Sequence, residues 1–309
     1  MVTVTRKIRY KAFYHIYQRT VGGGVIFYDD FDYLFFLSLV SVTAEKLGVE
    51  ILAICPMPDH LHLLARAPSQ HVLALFIKEY TRLYSLLFNR DCGRSGPLFR
   101  SPYGAAPKTS PKYIRTTIAY VFNNPVEKNL SNTAEEWKWN LLAYGRSSNP
   151  FSHPVVKSNA SRRLLAAMQE VSSERKDDSY LNYTMLRRLF RKLSETEKEQ
   201  LTDHILSQYC PLRFDMLKEY YGDYETMILA INSNTGSEHD LKEETETLSD
   251  TIYGEMAKEL SAAYPSVKRI ITLPESEKTT LWENLAHNYP ATPRHLSKFL
   301  HLPLQGRHK

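Results

Sequence analysis

Apolar and polar positions follow two rhythms along the first half of the chain. Residues 11–19, KAFYHIYQR, alternate roughly in twos and are rich in aromatics, which predicts a strand. VGGG at 21–24 is a turn. The period then lengthens: Asp29 and Asp30 stand before FDYLFFLSLVSVTAEKLG, whose acidic first turn and closing Gly48 predict a helix. VEILAIC (49–55) is a short apolar run that suits a buried strand. PMPD links it to HLHLLAR (60–66), a strand close enough to form an antiparallel hairpin with it. SQHVLALFIKEYTRLYSLLFN (69–89) starts on a Ser cap and reads as an amphipathic helix. RDCGRSGP is a loop and LFRSPYGAAPK an extended segment. Ser110-Pro111 opens the helix PKYIRTTIAYVFNN with Pro in its first position, and Asn124-Pro125 ends or kinks it.

Strand, helix, strand, strand, helix, strand is the β-α-β-β-α-β order, an α+β, ferredoxin-like antiparallel sheet with helices on one face. Near residue 150 the character changes. SNPFSHP (148–154) reads as a linker, and the segments beyond it, ASRRLLAAMQEVSS, YTMLRRLFRKLSETEKEQLTDHILSQY, LSDTIYGEMAKELSAAY and EKTTLWENLAHNYP, are mostly helical. Two domains are expected, 1–150 and 151–309. The acidic stretch 234–250 reads as an exposed connection. ATPRHLSKFLHLP (291–303) suggests a helix-turn-helix near 290–305, to which Arg294, His295, Lys298 and His301 lend positive character. Duplex binding there and a plain helical accessory role both remain open.

At 43% hydrophobic and 24% charged residues, the chain has enough apolar material for a packed core. No apolar run approaches the ~18–20 residues that span a bilayer; the longest, Phe35 to Val42, is far shorter. The basic start MVTVTRKIRYK lacks a following apolar segment, so no signal peptide is expected. Cys55, Cys92 and Cys210 are odd in number and widely spaced, which argues against a disulfide framework or a cysteine zinc site and fits a reducing cytoplasm. The net charge of +5 is uneven. Residues 1–150 hold 18 Lys/Arg against 11 Asp/Glu (+7), leaving 21 against 23 (−2) beyond. The field that would attract a polyanion thus lies in the first half.

Chemistry concentrates in CPMPDHLHLL (55–64). On a strand, residues two apart share a face, so His60 and His62 project together. Two such imidazoles can clamp a metal, or can simply be exposed or hydrogen-bonded. Tyr120 and Asn124 sit four apart on the later helix and share its face. Tyr113 lies on nearly the same face, and spacing does not choose among the 20 tyrosines.

The N-terminal half resembles the REP-associated tyrosine transposases, in the IS200-like branch of the HUH nucleases. The family's His-hydrophobic-His phrase, of the form MPNHVHLL, is matched by MPDHLHLL at 57–64. Its early H-V-x-x-R strand and following helix are matched by HIYQR (15–19) and VIFYDDFDYLFFL (25–37), its nucleophile phrase by YVFNNPVEKNL (120–130), and its closing W-x-W phrase by WKWNLLAYG (137–145). Four ordered phrases span about residues 10–148. Asp59 replaces the usual Asn, and Glu127-Lys128 the usual Arg-Ala. Asp59 either helps hold a cation or caps the turn.

The resemblance implies that His60 and His62 bind a divalent cation, Mg²⁺ or Mn²⁺. It makes Asn124 the third protein ligand, where relatives often carry Gln, and Tyr120 the nucleophile. The implied activity is cleavage and rejoining of single-stranded hairpin DNA at REP-type elements through a covalent 5′-phosphotyrosine, which conserves the phosphoester so that strands rejoin without ATP. The implied partner is single-stranded or hairpin DNA, with no membrane, in a cytoplasmic, nucleoid-associated setting and as a monomer or homodimer. Arg19, Arg82, Arg100, Lys112 and Arg115 are the foremost phosphate-contact candidates, with Lys78, Arg94 and Lys108 behind them. Phe13, Tyr14, Tyr17 and Tyr103 could stack bases. Two rival readings are a non-catalytic nucleic-acid-binding protein on the same fold and a hydrolase that activates water.

Overall fold

The computed structural model describes residues 12–233, 250–264 and 266–303. Strands β1 (Phe13–Arg19), β2 (Glu50–Met57), β3 (His60–Arg66) and β4 (Gly104–Lys108) form one antiparallel sheet in the order β2-β3-β1-β4. This is the ferredoxin-like order expected from the alternation of elements. The crossover helices α1 (Asp30–Lys46) and α2 (Gln70–Cys92) cover the face carrying Ile16, Gln18, Leu61 and Leu63. There Tyr80 of α2 donates to Gln18 Oε1 at 2.5 Å, and the Gln18 amide donates to Thr81 at 3.2 Å. The helix appended after β4, α3 (Pro111–Glu127), crosses the opposite face, where the histidines lie.

Local sequence explains the boundaries. Asp29 and Asp32 form a reciprocal capping box at the start of α1, and Ser69 and Ser110 cap α2 and α3. Helix α2 runs three residues beyond the stretch expected from its apolar stripe. Asp91 and Cys92 pack inward, and Gly93, at φ +76°, makes the left-handed stop. Pro125 does not end α3, which continues to Glu127. The expected single helical stretch over 183–209 divides into α5 (Tyr183–Phe190) and α6 (Glu195–Gln208), because Lys192 turns at φ +66° and Ser194 builds a new capping box. The other helices are α4 (Arg162–Lys176), α7 (Phe214–Tyr221), α8 (Tyr224–Asn232), α9 (Thr251–Leu260), α10 (Glu275–Asn288) and α11 (Pro293–Leu300). The acidic stretch lies outside the described residues, except for Asp250. No helix among the described residues is long and apolar enough to cross a membrane.

Helix α1 is apolar nearly all round and is buried accordingly, with α2, α5 and α6 packed about it. Trp139 stacks on Tyr33 at 4.4 Å, and Trp137 lies edge-on to the same ring, so the W-x-W phrase fastens the chain after α3 onto α1. At the other side of α1, Asp32 and Lys268 form a fully buried ion pair. Asp32 also accepts from Tyr183 at 2.7 Å and from the Tyr28 backbone at 2.8 Å. Lys268 reaches Asp91 at 3.2 Å, and Asp91 takes both Arg187 nitrogens, at 2.6 and 2.5 Å. Burial works against the Lys268 ammonium, but the charge of Asp32, then of Asp29 and Asp91, holds its pKa above the ordinary value.

Helix α11 docks on the loop between β1 and α1. Val25 N–H donates to Lys298 O at 3.0 Å, Tyr28 to Phe299 O at 2.6 Å, and His301 to Val25 O at 2.7 Å. His295, Leu296, Ser297, Phe299 and Leu300 are buried. Much of the positive character read in this segment is therefore engaged within the chain.

Two outcomes follow from these contacts. Lys268→Met leaves Asp32 buried and uncompensated, so denaturant unfolding of this variant should show a loss of about 3–5 kcal/mol. The Lys268→Met/Asp32→Asn pair should lose less than the sum of the two single changes. Burial pushes the His301 imidazole down to about 4. Unfolded, it takes its proton near pH 6.5, so the unfolded state binds more protons between about 6.5 and 4. Stability is then full above 6.5 and falls as the pH drops through that window. His301→Asn, which keeps a donor and tolerates the left-handed backbone at φ +51°, should flatten that part of the pH–stability curve.

Candidate active site

The site lies on the face of the sheet covered by α3. In the antiparallel register, Tyr17 sits opposite His62 and Arg19 opposite His60. Alternation then places His15, Tyr17 and Arg19 of β1 on the same face as His60 and His62 of β3. His62 is wholly buried, and His60 nearly so. Their rings are 5.1 Å apart and almost perpendicular.

Each imidazole is oriented through one nitrogen. His60 Nδ1–H donates to Asp59 Oδ1 at 2.6 Å, and Asp59 Oδ2 receives Lys298 Nζ at 2.9 Å. Burial alone would raise the Asp59 carboxyl. The charge and hydrogen bond of His60, then those of Lys298, outweigh it and hold the group well below the usual carboxylate range. His62 Nδ1 lies 3.1 Å from His15 Nε2, with the two rings stacked at 5.3 Å. In each ring Nδ1 meets the partner named, and Nε2 is the nitrogen that could take a metal. A carboxylate on the other nitrogen, as on His60, is how metal-binding imidazoles are usually aimed; His62 has an imidazole in that place.

Helix α3 supplies the remaining groups. Tyr120 packs edge-on to His62 at 5.4 Å and to His15 at 5.6 Å. One turn on, Asn124 is fully buried, with its amide nitrogen 3.4 Å from His62 Nε2. Asn124 Oδ1 has no hydrogen-bond partner among the described residues. A half-turn of the amide exchanges the two atoms and would present that oxygen to His62 Nε2. Tyr113, on the first turn of α3, is 60% exposed, and the structure does not bring it to this group. Among the described residues no three His, Cys, Asp or Glu side chains are arranged to hold a metal ion. A cation here would therefore combine two imidazoles with the Asn124 amide oxygen. That mixed set suits Mn²⁺ at least as well as Mg²⁺, and a buried amide oxygen with no donor is the feature that fits it.

The basic candidates divide. Arg19 lies against the Tyr17 ring and donates to its hydroxyl, beside the imidazoles. The Arg100 backbone N–H donates to Arg19 O at 2.8 Å, which brings Arg100, exposed, to the same rim. Lys112 and Arg115 are exposed on the first turns of α3. Arg82 stays apart: it sits on α2, which covers the opposite face, and pairs with Glu79 at 2.9 Å. Arg94 braces its own loop through Gly96 O and Pro97 O, and Lys108 is buried. Phe13 and Tyr14 are core residues, whereas Tyr17 is half-buried over His62 at 4.9 Å. No motif assigns His15 a role of its own; alternation alone marks it as a face-mate of Tyr17, but its partner appears only with the register of β1 on β3.

Residues 8–124 match the family model described as IS200-like transposase. The match runs from the region of β1 to Asn124. Among solved structures, the chain is similar to a REP-associated tyrosine transposase bound to a REP hairpin, with 15% identity over 44% of this chain and 80% of that one and a TM-score of 0.37. No curated protein matches the chain. The two histidines, the tyrosine and the asparagine all lie within the segment that is similar to the IS200-like transposase model, residues 8–124.

Proposed function

We propose that the protein is a metal-dependent, single-tyrosine DNA transposase that cleaves and rejoins single-stranded hairpin DNA through a 5′-phosphotyrosine at Tyr120. The observation that carries this reading is the grouping of His60, His62, Asn124 and Tyr120 on one face of a sheet within the family-matched segment.

His60 and His62, through Nε2, and Asn124, through Oδ1, would hold the cation. When bound, it would neutralise charge building on a non-bridging phosphate oxygen and orient the phosphodiester. Asp59 and His15 keep the two rings turned toward that point. Tyr120 supplies the phenol oxygen: its bond to phosphorus forms as the bond from phosphorus to the 3′ oxygen breaks. The phenolic proton passes to water, and the departing 3′ oxygen takes a proton from water to become a 3′-OH. Reversal by another 3′-OH rejoins strands without a nucleotide cofactor, because the ester linkage is conserved. Arg19, Arg100, Lys112 and Arg115 supply positive charge around the site for the strand on either side of the scissile phosphate. Tyr17, half-buried over His62, is placed to stack an unpaired base.

Two experiments test this reading. With a hairpin oligonucleotide and Mn²⁺, a covalent protein–DNA band should appear on a denaturing gel. Tyr120→Phe should abolish it, and Tyr113→Phe should leave it intact. Cleavage without an adduct would support water as nucleophile, and a gel shift without cleavage would support a binder only. In binding titrations against salt, Arg100→Ala and Lys112→Ala should each weaken hairpin binding and reduce the salt slope by about one, while Arg82→Ala leaves both unchanged.

A further inference from the structure

The C-terminal helix reaches the cation site. Lys298 Nζ donates to Asp59 Oδ2 at 2.9 Å, and Asp59 Oδ1 takes the His60 Nδ1 proton at 2.6 Å. The three side chains form one line from α11 to the first histidine of β3. They are mostly enclosed: the Lys298 side chain is 17% exposed, that of Asp59 12% and that of His60 10%.

The backbone around this line is fixed from the same side. The Pro58-Asp59 turn, which leads into β3, is held from two places: Ile26 N–H of loop 24–28 donates to Pro58 O at 2.8 Å, and Thr20 N–H, just after β1, donates to Asp59 O at 3.3 Å. That loop is in turn held by α11, through Val25 to Lys298 O, Tyr28 to Phe299 O and His301 to Val25 O. The approach is close. A Cβ added to Gly24 would stand 2.5 Å from His301 Nε2, so glycine is required there by the docking of α11. Helix α11 therefore supports, through loop 24–28, the turn that sets the position of His60, and bonds directly the carboxylate that sets its ring.

We infer that Lys298 is a positioning residue for the cation site: through Asp59 it fixes the ring of His60, so the C-terminal helix completes a site whose ligands all lie in the N-terminal half. The inference rests on the proposed cation at His60, His62 and Asn124. Without the Lys298 ammonium, Asp59 keeps its bond to His60 but loses its second anchor. The carboxylate can then swing, and the imidazole with it. Removing the partner bonded directly to a ligating imidazole, here Asp59, costs about 10–100-fold in metal affinity, and loss of Lys298, which acts through Asp59, falls at the lower end of that range. Lys298 bonds Asp59 and not a group proposed to hold the cation or attack the phosphate, so its loss should act on metal binding rather than on the saturated rate.

The test is a Mn²⁺ titration of the full chain followed by electron paramagnetic resonance, without DNA, together with the Mn²⁺ dependence of adduct formation. Lys298→Met should weaken Mn²⁺ binding about tenfold or more, shift the half-activating Mn²⁺ concentration by a similar factor, and leave the rate at saturating Mn²⁺ near that of the wild type. Lys298→Arg, which keeps the charge, should restore most of the affinity. In an Asp59→Asn background, Lys298→Met should add little further loss, because both changes break the same line. If Lys298→Met unfolds, the comparison passes to Lys298→Gln, which keeps a donor and removes the charge. A folded Lys298→Met or Lys298→Gln that binds Mn²⁺ like the wild type overturns the inference and leaves the proposed function standing. A wild-type protein that binds no Mn²⁺ at this site overturns the reading of the site and the inference with it.

Discussion

The arrangement depends on one constraint: β3 is an inner strand of the sheet, and the first two of its residues on one face, His60 and His62, are histidines rather than aliphatics. An inner strand has both edges hydrogen-bonded and both faces covered, so His60 and His62 cannot turn away to solvent. A buried imidazole is costly unless its nitrogens find partners. The fold provides one partner for each ring, Asp59 for His60 and His15 for His62, and lays α3 over the pair so that Tyr120 and Asn124 meet them. The polar group is thus confined on one face of the sheet, while Tyr80, Phe36 and the apolar side of α1 fill the other.

Much of this was legible in the sequence because it rests on short-range periodicity. Alternation in HLHLLAR puts two imidazoles on one face, and the four-residue spacing of Tyr120 and Asn124 puts phenol and amide on one face of a helix. Capping signals placed the starts of α1, α2 and α3 correctly, since Asp29, Ser69 and Ser110 each bond their own helix. What spacing left open was which tyrosine faces the sheet. Tyr113 and Tyr120 are two turns apart on nearly one face, yet only the second stands over the strands. The end of α2 was misjudged because Asp91 looks like a loop residue until Arg187 and Lys268, from distant helices, are seen to hold it.

The remainder was illegible because it is made by long-range register and docking. His15 belongs to the site only because β1 pairs with β3 so that Tyr17 faces His62. Arg82 looked like its fellow candidates, but it lies on a helix that covers the wrong face. Asp59 could be read as a metal ligand or a turn cap; in the structure it bridges His60 and Lys298. Nothing in the local sequence around Lys298 reveals that partner. The same holds for Lys268, whose partners come from α1 and α2. Among the contacts that join the helical half to the sheet and its helices are a buried charge group at the start of α1 and a polar line that ends at the imidazoles.

The most direct measurement is pulsed electron paramagnetic resonance on the Mn²⁺-loaded protein with ¹⁵N-labelled histidine. Couplings from two imidazole nitrogens are expected, falling to one when His60 is replaced by alanine. A spectrum of fully hydrated Mn²⁺ with no histidine nitrogen, in protein that is otherwise folded, would contradict the claim that these neighbouring imidazoles grip a cation beside Tyr120.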